Sequence, residues 1–476
     1  MTQEHAPSPE LLALFRAQQA HRERMARTTP GERRAILRAF RDHLNARRED
    51  IVAALASDLG KSRHEALLTE IMQVQDELTH AISQVGRWMK PRQAPPALTL
   101  PGLRGEVRHE PKGTVLILGP WNYPLTNLLT PFVDALAAGN TVILKPSELA
   151  PATARVIRDI VEATFEPHLV AVVEGGPDVA QQLTHLPFDH ILFTGSTEVG
   201  RKVMQAAATN LTPVTLELGG KSPVVIHRSA ELERTAERLV WGKLMNVGQT
   251  CIAPDYALVP RELQADLAAH LTTAVKKMYG EGDWLRQNAD LGRMISSDAV
   301  ARLRDAVEGS VRQGARVVVG GEFDEAARFI APTIVSDVTR SMPLMERELF
   351  GPVLPLLPYD DLDAEIGRIN AGPTPLALYI FAEDKADAED ILNRTRSGGA
   401  TVNGTMMHIS YAGLPFGGRG HSGMGRYHGF YGFQTFSHER GVVYEPALTP
   451  VGLLRAPFDR LLTRTVLGVM TRPLKG

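Results

Sequence analysis

From Thr114 onward, short apolar runs alternate with helical segments: residues 115–118, 141–144, 170–173 and 191–193 read as strands, and windows near 125–138, 151–164 and 197–208 read as helices. Strands that are apolar on both faces and joined by crossover helices predict a parallel, doubly wound sheet of the Rossmann type. Ahead of this series the first ninety or so residues read as helices. One start is well marked, because Thr29-Pro30-Gly31-Glu32 sets a cap, a first-turn proline and a capping-box glutamate in register. Pro91, Pro95, Pro96 and Pro101 then interrupt any helix, and the polar, strand-like segment 103–110 predicts an arm leaving the body.

A second alternating series follows residues 214–218 and runs through 317–319 and 376–381, predicting a second α/β domain that carries Cys251. The stretch 414–425 is too rich in glycine for a regular element and is expected to return the chain across the first domain's edge. The predicted division is a first domain from 1–88 and 111–215, a second from 216–400, an arm and return segment from 89–110 and 401–445, and an amphipathic tail from 446–476.

Composition narrows the function classes. At 476 residues the chain exceeds one core and suggests two or three domains at about 150 residues each. Apolar residues make up 43% and charged residues 22%, an ordinary soluble mixture that argues against disorder or a fibre. With 52 basic against 54 acidic residues, there is no global field to attract nucleic acid. The polar amino terminus lacks the order of a secretory signal, and no stretch reaches the roughly 18–20 apolar residues of a membrane span. Cys251 is the single cysteine, so it can form no internal disulfide and no cysteine-based metal site, and the cytoplasm is the expected compartment. His421, His428 and His438 lack ligand spacing, so no metal is expected.

The chemistry lies in motifs at the ends of the predicted strands. Gly119-Pro120-Trp121-Asn122-Tyr123-Pro124 closes one, Lys145-Pro146-Ser147-Glu148 the next, and Phe193-Thr194-Gly195-Ser196 another. Glu217-Leu218-Gly219-Gly220-Lys221, Gly248-Gln249-Thr250-Cys251-Ile252-Ala253-Pro254 and Glu348-Leu349-Phe350-Gly351-Pro352 follow. In this order and spacing they resemble the NAD(P)-dependent aldehyde dehydrogenase superfamily over nearly the whole chain. The closing Leu414-Pro415-Phe416-Gly417-Gly418, Ser422-Gly423-Met424-Gly425 and Tyr427-His428-Gly429 look like its class 3 branch, which includes fatty, aromatic and coniferyl aldehyde dehydrogenases.

The resemblance implies a Rossmann-type cofactor domain, a second α/β catalytic domain and a small β arm for oligomerisation, with a homodimer as the expected assembly. It implies that Cys251 attacks an aldehyde, that Asn122 and the Cys251 amide stabilise the oxyanion, and that Glu217 activates the water that releases a thioester. An ordinary thiol is only about 3% thiolate at pH 7, so attack needs a lowered pKa or a nearby base. For the cofactor it implies Trp121, Lys145, Ser147, Glu148, Gly195, Ser196, Gly200, Leu218, Glu348 and Phe350. Gly195 and Ser196 head a helix able to receive pyrophosphate, although Gly195-Ser196-Thr197-Glu198-Val199-Gly200 departs from the G-x-G-x-x-G fingerprint. Glu148 would oppose a 2′-phosphate, which makes NAD the first expectation, with NADP also compatible.

Tyr123, Met245, Thr250 and Ile252 adjoin the oxyanion donor and the nucleophile and are expected to line the substrate passage, a wall suited to apolar aldehydes. The tail from Pro457 reads as a basic amphipathic helix, expected to pack on the body or a partner subunit, with peripheral membrane attachment as the lesser alternative. Two rival readings are a cofactor-independent thiol esterase and a non-catalytic protein on the same fold. The full set of cofactor and reacting residues weighs against both.

Overall fold

The computed structural model describes residues 6–97, 100, 102–449, 451–452 and 455–470. Pro101 of the expected arm, residues 1–5, and Leu453, Leu454, Arg472 and Lys475 of the tail lie outside them.

Helices Pro9–Ala26, Pro30–Ala46, Arg48–Leu59 and Met72–Trp88 form the leading bundle. The expected capping box is present: the Thr29 hydroxyl accepts from the Glu32 N–H, and the Glu32 carboxylate accepts from the Thr29 N–H at 2.7 Å. Leu37, Phe40 and Leu44, spaced three and four apart, turn one face of their helix into the core, where the Phe40 and Phe132 rings meet edge to face at 5.1 Å. Between Arg63 and Met72 the chain winds through a short helix, Arg63–Ala66, and a π-helical turn, Leu67–Ile71.

The first sheet and the arm draw on strands β1 (Arg92–Gln93), β2 (Arg104–Pro111), β3 (Thr114–Leu118), β4 (Thr141–Lys145), β5 (Val170–Val172), β6 (His190–Thr194) and β7 (Val214–Glu217). The second uses β8 (Pro223–Ile226), β9 (Tyr256–Pro260), β10 (Arg316–Val319), β13 (Thr333–Ser336), β14 (Val353–Tyr359), β15 (Ala377–Phe381) and β16 (Gly399–Val402), with the two-stranded β11 (Phe323–Asp324) and β12 (Phe329–Ile330) outside it. The closing strands are β17 (Gly423–Met424) and β18 (Ser437–Tyr444).

The six-stranded sheet has the order β17-β7-β6-β3-β4-β5, parallel except for β17. Its strands are buried on both faces because side chains alternate between two cores. Val115, Ile117, Val142 and Leu144 join the cluster with Phe132 and Ile157, while Leu116, Leu118 and Ile143 join Phe15, Leu183 and Phe193. β7 completes this sheet, so the division expected at 215/216 runs through a strand. β17 pairs with β7, which is how the glycine-rich return crosses that edge.

The seven-stranded sheet has the order β10-β13-β14-β9-β8-β15-β16, parallel except for β10. The arm is a separate sheet, β1-β2-β18, with β18 antiparallel to β2 from Ser437↔Pro111 to Tyr444↔Arg104. In the tail the helix spans Leu461–Met470, starting later than the sequence suggests, with Leu461 and Leu462 exposed. Among the described residues no helix is long and apolar enough to cross a membrane.

Candidate active site

In the first sheet, β3 and β6 are neighbours, with β4 and β5 to one side and β7 to the other. Connections that diverge from such a pair leave a crevice at the carboxyl ends of the strands. Facing it are the loops that lead into β8, β9 and β14. The result is a cleft of about 960 Å³. Cys251, Glu217, Asn122, Trp121, Lys145, Ser147, Glu148, Gly195, Ser196, Glu348 and Phe350 all line it, although they are scattered over 230 sequence positions.

Cys251 is half-buried and packs against the main core. Burial, then the nearby carboxyls of Glu348 and Glu217, push its thiol up to about 12, while its own N–H and that of Ile252 pull the other way. The balance of these groups disfavours the thiolate, which would need a neighbouring base to form. Because Cys251 is the sole cysteine, its alkylation by iodoacetamide is specific. The rate, followed by mass spectrometry, is expected to be slow at pH 7 and to climb about tenfold per pH unit through pH 10. A plateau near pH 9 would show an ordinary thiol.

Asn122 follows β3 and is 5% exposed. Its Nδ2 donates to the Gln249 carbonyl at 3.0 Å, and its backbone carbonyl oxygen accepts from Asn246 Nδ2 at 2.9 Å. A carboxamide nitrogen carries two hydrogens, so the second remains available to the cleft. The loop leading to Cys251 on the other side is tightly wound: Asn246 and Val247 have φ of 50° and 54°, a conformation costly for a β-branched side chain.

Glu217 ends β7, is 2% exposed, and neither carboxyl oxygen has a hydrogen-bond partner. Burial alone raises its pKa well above the ordinary carboxylate range. Glu348 is raised to about 8, by burial and then by Asp255, against the Gly220 N–H, Lys221 and Lys243. A Cβ at Gly219 would stand 2.2 Å from Glu348 Oε2, so only glycine lets this carboxyl reach the cleft. Lys221 holds Asp255 and the Arg347 carbonyl at 2.8 Å, and Asp255 accepts from the Leu349 N–H at 2.8 Å. Those bonds fix the segment that presents Glu348 and Phe350.

The remaining lining fits a dinucleotide. Ser196 caps helix Thr197–Ala208, and the positive end of that helix opens on the cleft. A Cβ at Gly195 would meet the Phe193 ring at 2.5 Å, so the backbone here is kept bare. Lys145 Nζ lies 2.8 Å from Glu148, and the Trp121 and Phe350 rings meet edge to face at 5.5 Å.

Other expected positions fall beside the cleft. Gly200 and Leu218 pack on one another beneath it, since a Cβ at Gly200 would meet Leu218 at 2.6 Å. Tyr123, Met245, Thr250 and Ile252 are absent from its lining. Tyr123 bonds Thr250 at 2.8 Å in the interior, and Ile252 is wholly buried. Helix Pro177–Thr184, which adds Gln181 and Thr184 to the lining, carried no sequence signal strong enough to be read. Of the three carboxy-terminal histidines, His428 is buried and His421 and His438 are exposed.

The family profile described as "Aldehyde dehydrogenase family" matches residues 6–442. A protein of Pseudomonas aeruginosa described as a probable coniferyl aldehyde dehydrogenase is 39% identical over 465 residues, covering 97% of each chain. Among solved structures, the substrate-bound state of Staphylococcus aureus AldH superposes with a TM-score of 0.92 at 38% identity, over 97% of this chain and 99% of that one. A Mycobacterium tuberculosis aldehyde dehydrogenase complexed with NAD+ superposes with a TM-score of 0.81 at 29% identity, over 91% and 90%.

Proposed function

The chain belongs to the aldehyde dehydrogenase family, in its class 3 branch, and is an NAD(P)-dependent oxidoreductase of aldehydes; from that premise we propose that it converts an apolar aldehyde, aromatic or medium- to long-chain aliphatic, to its carboxylate through a covalent intermediate on Cys251. The observation that carries this reading is the convergence of the Cys251 thiol, the Asn122 carboxamide and the unpartnered Glu217 carboxyl on one cleft.

In this scheme the Cys251 thiol gives its proton to a neighbouring base as Sγ adds to the carbonyl carbon, and the oxygen, now negative, is held by the free Asn122 N–H and the Cys251 backbone N–H. NAD(P)+, when bound, supplies the two-electron acceptor that allows the thiohemiacetal to become a thioester. Trp121, Lys145, Ser147, Glu148, Gly195 and Ser196 would hold its adenosine and pyrophosphate side, and Glu348 and Phe350 its nicotinamide side. Glu217 then takes a proton from water, which attacks the thioester carbon and frees Cys251. A desolvated carboxylate is a stronger base than a solvated one, so the burial that raises its pKa also equips it for this step. The base form appears only as pH rises through that raised pKa, so hydrolysis should rise with pH.

The apolar substrate is supported by the coniferyl aldehyde named for the Pseudomonas relative. The unpaired outer edge of β18 supports a homodimer, because an exposed edge strand is a template for pairing with a second copy. The cytoplasm is the proposed compartment. Coniferyl, benzaldehyde-type and C8–C16 aliphatic aldehydes, assayed at 340 nm with NAD+ and with NADP+, are expected to show growth only when aldehyde and cofactor are both present. Ester hydrolysis without aldehyde oxidation would favour the thiol esterase.

A further inference from the structure

We propose that the buried Lys61–Glu70 ion pair is a positioning device that sets the Asn122 carboxamide, an inference that rests on the reading of Asn122 as an oxyanion donor. Both side chains are wholly inaccessible, and Lys61 Nζ lies 2.5 Å from Glu70 Oε1. Neither lines the cleft. Their remaining bonds converge on the loop between β3 and helix Thr126–Ala138. Lys61 Nζ donates to the Asn122 carbonyl at 3.1 Å and lies 3.9 Å from the centre of the Tyr123 ring. Glu70 Oε2 accepts from the N–H groups of Leu125 at 3.2 Å and Thr126 at 2.9 Å.

No side chain of the loop itself caps helix Thr126–Ala138. Glu70 does so from another element, with negative charge at the positive end of the helix. The π-helical turn Leu67–Ile71 explains how it arrives there. Such a turn breaks the usual i to i−4 pairing, and the Thr126 hydroxyl binds the carbonyls of Thr69 at 3.1 Å and Glu70 at 2.9 Å. The two ends of Asn122–Thr126 are thereby held by one ion pair.

The same pair reaches the nucleophile. Asn246 Nδ2 donates both to the Asn122 carbonyl and, at 3.0 Å, to the Gln249 carbonyl, which also accepts from Asn122 Nδ2. Lys61, Asn122, Asn246 and Gln249 therefore form one closed set of bonds that ends two residues before Cys251. Glu65, half-buried, accepts from the Asn246 N–H and anchors the far side. A buried ion pair is commonly no more stabilising than apolar residues of the same volume, so filling space does not account for it. Its directional bonds do account for a fixed Asn122.

The test is a double-mutant cycle on the full-length protein. The double substitution K61M/E70M removes both charges together and so leaves neither orphaned. It is expected to lower thermal stability modestly, because the Leu125 and Thr126 N–H groups lose their acceptor, but to keep the fold and NAD(P)+ affinity, read by tryptophan fluorescence, while kcat/KM for aldehyde falls by about 10²-fold, as expected for a reacting group held off its position. Asn122→Ala alone should lose about 10²–10³-fold. Adding K61M/E70M to Asn122→Ala should cost nothing further, because the pair acts through that carboxamide. Should K61M/E70M not fold, K61M/E70Q, which also removes both charges but keeps an acceptor for the Leu125 and Thr126 N–H groups, carries the same cycle. Wild-type kcat/KM in the clamp variant, or a loss that multiplies with that of Asn122→Ala, overturns the proposal. If Asn122→Ala keeps the wild-type rate, the oxyanion reading falls and the clamp falls with it. A slow Asn122→Ala beside a fast clamp variant sinks the clamp alone.

Discussion

Cys251→Ala is expected to lose aldehyde oxidation by roughly 10⁵–10⁶-fold, the scale on which enzymes lose rate when a covalent nucleophile is deleted. The size follows from the site. With a single cysteine in the chain, no second thiol can substitute, and the remaining lining offers no comparable nucleophile beside Asn122. The thiol is small and half-buried, so its removal should leave the fold and the cofactor cleft in place, and NAD(P)+ should still quench Trp121 fluorescence. Steady-state assay at 340 nm together with a binding titration separates the two effects. Near-normal turnover in this variant would refute the covalent scheme, whereas loss of turnover together with loss of cofactor binding would point to a damaged cleft. Mass spectrometry of wild-type protein quenched during turnover should find the acyl adduct on the peptide containing Cys251 and on no other.

Glu217→Gln is expected to separate the two halves of the reaction. The carboxamide matches the carboxyl in shape and suits a buried site whose two oxygens have no partner, so folding should survive. It cannot take a proton from water, and loss of a general base typically costs about 10²–10⁴-fold. Rapid-mixing absorbance should show a burst near one equivalent of reduced cofactor per site, followed by a steady state slower by that factor. In wild-type protein the steady state should rise with pH, because a carboxyl whose pKa is raised by burial becomes a base only as pH rises through that raised value. The variant should lose that dependence. Equal loss of burst and steady state would move Glu217 from hydrolysis to the first chemical step.

Much of this site was legible from the residues in order. The strands β3, β4 and β6 are rich in apolar residues and each ends in a motif at the crevice, so the place of Asn122, Lys145 and Gly195 beside it was legible, while their roles came from the resemblance. The class of the fold followed from the same alternation. Neighbouring positions were harder. Thr250 and Ile252 flank Cys251, yet Ile252 is sealed in the core because successive residues of a tight loop point in different directions. Gly200, which the resemblance placed with the cofactor residues, packs against Leu218. Lys61 and Glu70 gave no signal at all. A lysine and a glutamate nine positions apart near a helix end are ordinary, and the π-helical turn that rotates Glu70 inward has no marker in the letters.

What the sequence determined by itself is what local geometry dictates: the two-residue period of strands, the capping of helices such as Pro30–Ala46, the order of the motifs, and the identity of the lone thiol. The tertiary structure decided the electrostatics. Asn122 meets Gln249 across 127 positions and Lys61 across 61, and Glu217 loses its solvent only in the finished fold. The physical reason is that a backbone period is set by neighbours in the chain, whereas a pKa, a desolvated carboxyl or a bond to a buried ammonium is set by whichever groups the finished fold brings within a few ångströms.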